Sequence, residues 1–120
     1  MSYAKLDDMK GMVIFDIIEE PNSLTFKSFG GIFKLCHEQD CCETVYISEI
    51  VGDLNDLKDT PILLAEEVSS SMEEPKPSEW SESWTWTFYK FSTIKGHVTI
   101  RWLGESNGYY SERVDFIRVL

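Results

Sequence analysis

The sequence predicts a mainly β protein, an antiparallel meandering sheet or a two-sheet sandwich, with α+β character limited to one short helical turn near 53–58. Three observations carry this. Apolar and polar residues alternate through Trp84-Thr85-Trp86-Thr87-Phe88-Tyr89 and again through Val98-Thr99-Ile100-Arg101-Trp102, the spacing that sends successive side chains to opposite faces of a strand. Turn residues recur between such runs, as at Phe29-Gly30-Gly31 and Gly104-Glu105-Ser106-Asn107-Gly108, and such glycine-bearing turns join hairpins. The runs themselves are filled with β-branched and aromatic residues, which suit a pleated, half-buried surface.

In order, Gly11 to Glu20 forms a β-rich run stopped by Pro21-Asn22-Ser23, a turn signal. Leu24 to Ser28 and Ile32 to Cys36 flank the paired glycines as a hairpin, with Leu24 and Phe26 on one face and Thr25 and Lys27 on the other. Thr44 to Ile50 reads as the next strand, ending near Val51-Gly52. Asp53-Leu54-Asn55-Asp56-Leu57 spaces two leucines three apart behind an aspartate able to cap, which suits a single helical or 3₁₀ turn. After Thr60-Pro61, Ile62 to Val68 reads as a short strand, and residues 69–83, rich in serine, proline and glutamate, as a mobile surface loop. Trp84 to Phe91 and Val98 to Trp102 then pair as a hairpin, with Trp84, Trp86, Phe88, Val98, Ile100 and Trp102 expected on one buried face. Tyr109 to Val119 supplies a last alternating strand.

A chain of 120 residues suits a single domain, 1–120, and such a domain buries roughly two thirds of its unfolded surface. A content of 42% hydrophobic residues excludes a disordered chain. The longest apolar runs, Met12 to Phe15 and Pro61 to Ala65, are far too short to span a membrane. The N-terminal MSYAKLDDMKGM lacks the apolar segment of a secretory signal, so a cytoplasmic location is expected. Three cysteines, an odd number, fit reduced thiols better than a disulfide framework.

The net charge of −10 is concentrated, with thirteen acids against two lysines between Glu38 and Glu82. Residues 38–82 are therefore not expected to bind a nucleic-acid backbone, which needs Lys and Arg. The acidic segment can instead meet a basic host protein, with Glu66, Glu67, Glu73 and Glu74 as candidate partner-binding residues. Solubility alone also accounts for an acidic surface.

Two stretches concentrate chemistry. Cys36-His37-Glu38-Gln39-Asp40-Cys41-Cys42-Glu43 holds all three cysteines and one of the two histidines, making His37, Gln39, Asp40, Cys41, Cys42 and Glu43 ligand-binding candidates. Zinc usually draws on two separated ligand pairs, and neighbours in an extended strand point apart, so no metal and no other cofactor is expected. A thiol nucleophile activated by His37 is disfavoured by the surrounding carboxylates, which raise a thiol pKa. A polar loop fixed by hydrogen bonds from His37, Gln39 and Asp40 is the plain structural alternative. The second stretch, Gly104 to Tyr110, lets a ligand approach small residues, with Arg101, Ser106, Asn107, Tyr109 and Tyr110 as candidates and Arg113 and Tyr89 near by. An ordinary hairpin turn accounts for the same residues.

CHEQDCCETVYISEIVGDLNDL together with SWTWTFYKFSTIKGHVTIRWLGESNGYYSERVDF, including the WTFYKF and SNGYYS motifs, resembles a family of short uncharacterised proteins of phages, prophages and bacteria, a domain of unknown function. The resemblance covers Leu24 to Phe116 and implies context only: a small acidic protein acting in a host cytoplasm. It brings no catalytic residues. The sequence carries no glycine-rich phosphate loop, nucleophile elbow or metalloprotease motif, so binding is favoured over catalysis. The expected function is sequestration of a small, nucleotide-like ligand or blockade of a host factor. The alternatives are an acidic inhibitor mimicking nucleic acid through residues 38–82 and a small Cys/His hydrolase.

Overall fold

The computed structural model describes residues 2–120. Its strands are β1 (Ser2–Tyr3), β2 (Ile14–Glu20), β3 (Ser23–Ser28), β4 (Gly31–Cys36), β5 (Thr44–Val51), β6 (Leu64–Ser71), β7 (Ser83–Thr93), β8 (Gly96–Ser106) and β9 (Asp115–Arg118). Helical structure among the described residues is confined to 3₁₀ turns at Leu6–Met9 and Leu54–Leu57. One sheet has the order β1-β9-β4-β3-β2 and the other β5-β8-β7-β6. All these strand pairs are antiparallel. The alternation in the sequence therefore predicts the fold class correctly.

Local chemistry sets the connections. Pro21-Asn22 and Phe29-Gly30 turn β2 into β3 and β3 into β4, placing Leu24 opposite Leu35 and Phe26 opposite Phe33, all four fully buried. The second 3₁₀ turn begins where Asp53 Oδ1 accepts from the Asn55 N–H at 2.9 Å, satisfying a donor that the turn leaves free. Beyond it, the Asp59 N–H donates to the Ile14 carbonyl and the Ile62 N–H to that of Met12. These bonds tie the approach to β6 against β2, so the two sheets are joined along that side.

The core lies between the sheets. Phe26, Phe33, Leu35 and Phe116 from one face meet Ala65, Tyr89, Phe91, Val98, Ile100 and Trp102 from the other, with the Phe26 and Phe91 rings 5.3 Å apart. Val98, Ile100 and Trp102 do share a buried face, but Trp84, Trp86 and Phe88 do not join it. The β7–β8 register sets Thr87 opposite Trp102, Tyr89 opposite Ile100 and Phe91 opposite Val98. The inward residues of β7 are therefore the odd-numbered ones, and Trp84 and Trp86 form a second cluster with Leu103 on the outer face. That cluster is covered by chain 72–76: the Trp84 indole N–H donates to the Glu73 carbonyl at 2.8 Å and the Trp86 N–H to the Pro75 carbonyl at 2.9 Å. Trp84 and Trp86 are buried on the outer face as well, so burial propensity alone does not assign the face.

Two boundaries also differ from expectation. Ser69, Ser70 and Ser71 pair with Thr87, Trp86 and Thr85, so the loop spans 72–82 and not 69–83. The last strand is only Asp115–Arg118. Residues 107–114 instead cross from one sheet to the other, shaped by turns in which Asn107 Oδ1 accepts from the Tyr109 N–H at 3.0 Å and Ser106 Oγ from the Gly108 N–H at 2.9 Å. Gly104 permits the crossing, since a Cβ there would collide with the Glu112 carbonyl.

Trp102 is fully enclosed between the sheets, whereas Trp86 is covered by a strap that can settle onto a smaller residue. Trp102→Ala is expected to cost about 3–5 kcal/mol, the range for large core aromatics, and Trp86→Ala less, because the cost falls where the site can collapse. Denaturant unfolding of both variants checks this. Equal losses would place the two indoles in equivalent environments and contradict the assigned faces.

Candidate functional site

Residues 37–43 leave β4 and return to β5, and a buried carboxylate organises the whole turn. Glu43 is 2% exposed. Its Oε1 accepts from the Cys41 N–H at 2.8 Å and from Gln39 Nε2 at 3.1 Å, while its Oε2 accepts from the Asp40 N–H at 3.0 Å. His37 Nε2 lies 3.0 Å from the same Oε2, and His37 Nδ1 lies 2.8 Å from the Arg113 carbonyl. That carbonyl can only accept, so the network assigns the Nδ1 proton to this bond. Burial raises the Glu43 pKa, but hydrogen bonds from the Cys41 N–H, its own N–H, His37 and the Asp40 N–H outweigh burial and bring it to about 2.

Cys41 and Cys42 sit in a bend, not in an extended strand, and their side chains lie against each other. The Cys36 thiol pKa is raised, chiefly by burial. The argument that adjacent side chains point apart fails here because the Glu43 bonds fold the backbone back on itself. Among the described residues, no group of three or more His, Cys, Asp or Glu is arranged to hold a metal ion.

A wide concavity lies between the inner faces of β6 and β7 and the chain around β1 and β9. It is a cleft of about 850 Å³ whose walls include Ser69, Ser71, Thr85, Thr87, Glu67 and Glu112. Going along β7, the inward side chains change from Phe91 and Tyr89 to Thr87 and Thr85, and along β6 from Ala65 to Glu67, Ser69 and Ser71. The two strands thus present a ladder of hydroxyls where a closed sandwich would present apolar groups. Ser71 Oγ and Thr85 Oγ1 are 3.3 Å apart, and Thr85 Oγ1 donates to Glu112 Oε1 at 2.7 Å. Ser106 Oγ donates to Glu112 Oε2, fixing that carboxylate from the other side.

Behind the cleft wall, Tyr89 stands directly opposite Glu67 and is fully buried. Burial first, then hydrogen bonding to Glu67 and the Glu67 charge, push the Tyr89 pKa far up and keep the hydroxyl neutral. Tyr3 and Arg113 line this cleft and also a second depression of about 380 Å³ bounded by His37, Gln39, Asp40, Glu43 and Asp115. The two hollows thus lie side by side, with Tyr3 and Arg113 between them.

The candidates chosen from sequence fall into three places. His37, Gln39, Asp40 and Glu43 line the smaller hollow and Tyr110 the larger one beside it. Cys42, Ser106 and Asn107 border a separate shallow depression with Trp80, and Cys41 is exposed beside it in sequence. Tyr109 is 83% exposed and packs edge-on to Tyr110. Arg101 lies on the outer face, 4.1 Å over the Trp86 ring and 3.6 Å from Glu49, because Trp102 and not its neighbour turns inward. The acidic candidates Glu66, Glu67, Glu73 and Glu74 are all exposed, and Glu67 also lines the cleft.

A family model described as a domain of unknown function, DUF7448, matches residues 7–116. The chain belongs to the DUF7448 family. No curated protein and no solved structure matches it. The family match spans every strand of this DUF7448 chain except β1 (Ser2–Tyr3) and the end of β9. It thus covers both hollows apart from Tyr3 and the residues just after it.

Sequence reasoning missed Glu112, the Ser69–Ser71 and Thr85–Thr87 ladder, and the part of Tyr3. On β7 the hydroxyls recur at every second position, Ser83, Thr85 and Thr87, between the tryptophans, so a reading that turns the tryptophans inward sends them outside. Nothing local marks Tyr3, which reaches the cleft only because β1 pairs with β9.

Glu43 supports a stability test with a definite sign. Its folded pKa of about 2 lies below the ordinary value of 4.5, so the stabilisation is fully present above that ordinary value and is lost as pH falls towards 2. Wild type is expected to exceed Glu43→Gln in stability near neutrality, with the gap closing over that acid window. A gap that stays constant between pH 4.5 and pH 2 would show that the Glu43 charge does not hold the turn.

Proposed function

We propose that this chain is a binding module which takes a small polar ligand into the cleft between its sheets, in keeping with the sequestering role expected from its sequence. One observation carries the reading: the inner faces of β6 and β7 end in hydroxyls and carboxylates around a volume of about 850 Å³. Ligand sites are concave, largely preformed and fitted with a few convergent polar groups, and this volume is of the usual size for one. A catalytic reading has less support. The His37 ring is occupied at both nitrogens by Glu43 and the Arg113 carbonyl, which leaves it no free lone pair to activate a nucleophile. The family resemblance supplies the setting for this proposal, a small acidic protein of phage type in a host cytoplasm.

Ser69 is exposed and projects from an edge strand into the cleft, so Ser69→Trp fills the site without entering the core. Native mass spectrometry of protein equilibrated with host-cell extract is expected to show a small-molecule adduct on wild type that is absent from Ser69→Trp. An identical adduct on both proteins, or none on either, would overturn the cleft as the functional site.

A second reading, contact with a basic host protein, is favoured by the exposure of Glu66, Glu73 and Glu74, none of which makes an ion pair among the described residues. Association through these carboxylates should slow steeply with added salt, since the screening length is about 8 Å at physiological ionic strength. Reversing all three to Lys should slow it further with the fold intact. Association rates indifferent to both changes would exclude this surface.

A further inference from the structure

We infer that β6 is an open sheet edge which receives an extended basic segment of a partner protein as an added strand along Glu66 to Ser71. This deepens the reading of Glu66, Glu73 and Glu74 as a surface for a basic protein and rests on it.

The two sheets end in the edge strands β1, β2, β5 and β6, and an edge strand turns the N–H and C=O of every second residue away from its sheet. The first three edges are blunted. β1 has only two residues. β2 carries a bulge between Ile14 and Asp16, and its Ile14 carbonyl accepts from the Asp59 N–H. β5 carries a bulge between Ile47 and Glu49, and its Ile47 N–H donates to the Pro21 carbonyl. β6 has none of these devices. It pairs with β7 in unbroken register from Leu64 opposite Ser92 to Ser71 opposite Thr85, and it contains no proline, glycine or lysine. The 3₁₀ turn Leu6–Met9 lies beside β6, yet among the described residues no backbone hydrogen bond reaches residues 64–71 from outside the β6–β7 ladder. Glu66, Glu67, Val68, Ser69 and Ser71 are exposed. A regular, exposed edge of this kind is a template for another strand.

Charge names the occupant. Glu66 and Glu67 lie within the edge and Glu73 and Glu74 follow it, and none of them has an ion-pair partner among the described residues. With a net charge of −10, a second copy would bring like charge to the same edge, and charged side chains on an edge reject such pairing. A strand that carries Lys or Arg meets opposite charge there instead. Glu67, Ser69 and Ser71 line the cleft, so alternation puts Glu66, Val68 and Ser70 on the outer face. One face of the added strand therefore meets Glu67 and the cleft hydroxyls, and the other meets Glu66 and the exposed Val68. A segment with a cation on each face and a small apolar residue beside Val68 fits both.

Calorimetric titration with the peptide Lys-Lys-Val-Thr-Lys-Lys-Val-Thr tests the assignment. Its controls are the same peptide N-methylated through its central residues, which keeps the charge and removes main-chain donors, and the same peptide with Glu for Lys. The unmodified peptide is expected to bind wild type at least tenfold more tightly than either control, and to slow hydrogen exchange at alternate amides between Glu66 and Ser71. Reversing Glu66 and Glu67 together to Lys is expected to weaken it at least tenfold. Equal binding of the N-methylated peptide would overturn strand addition while leaving the acidic surface as a contact. Equal binding of the Glu peptide, or binding of no peptide, would overturn the inference, and host-protein association indifferent to salt would remove the surface reading as well. A wild-type dimer in sedimentation that the unmodified peptide dissociates would assign the edge to a second copy and overturn the basic occupant.

Discussion

The pairing of β7 with β8 decides what each face of the molecule can do. With Thr87 opposite Trp102 and Tyr89 opposite Ile100, the odd-numbered residues of β7 face the first sheet and Trp84 and Trp86 face away. Because side chains alternate with a period of two, a slip of one residue would turn every one of them over. It would bring two indoles into the cleft and send the hydroxyls to the outside. The fully buried Trp102, Tyr89 and Phe91 mark the choice, filling the space against Phe26 and Phe33. The strap over Trp84 and Trp86 follows from the same choice, as two large indoles left on an open face need a cover and partners for their N–H groups.

A second constraint ties the far ends together. The Glu43 carboxylate holds the 39–43 turn, His37 bridges from that carboxylate to the Arg113 carbonyl, and Arg113 belongs to the segment that crosses between the sheets. The crossing segment also carries Tyr110 and Glu112 into the cleft. The residues that look most chemical in the sequence therefore act on position: they set where the cleft wall runs. Both ring nitrogens of His37 are occupied, Nδ1 by the Arg113 carbonyl and Nε2 by the Glu43 carboxylate.

Much of the fold was legible because short-range signals agreed with one another. The hairpin turn at Phe29-Gly30, the Asp53 cap and the alternation in Val98 to Trp102 each appear in the structure as read. What escaped depended on contacts distant in sequence. Whether Trp86 or Thr87 faces inward is set by the opposite sheet, which β7 meets only after folding. The shortness of β9 depends on Gly104 receiving the Glu112 backbone, a contact no local pattern records. The candidate site was half visible for the same reason: His37, Gln39, Asp40, Glu43 and Tyr110 were marked by their chemistry, whereas serines and threonines carry no such mark until a cleft forms around them.

The central claim is that the hydroxyls of Ser69, Ser71 and Thr85 are open to solvent while the outer tryptophans are covered. Solvent paramagnetic relaxation with a neutral soluble probe measures this residue by residue. The side-chain protons of Ser69, Ser71 and Thr85 should relax strongly and the indole N–H protons of Trp84, Trp86 and Trp102 weakly. Strong relaxation at the Trp84 and Trp86 indoles with protection at Ser69 and Ser71 would reverse the two faces and contradict the account.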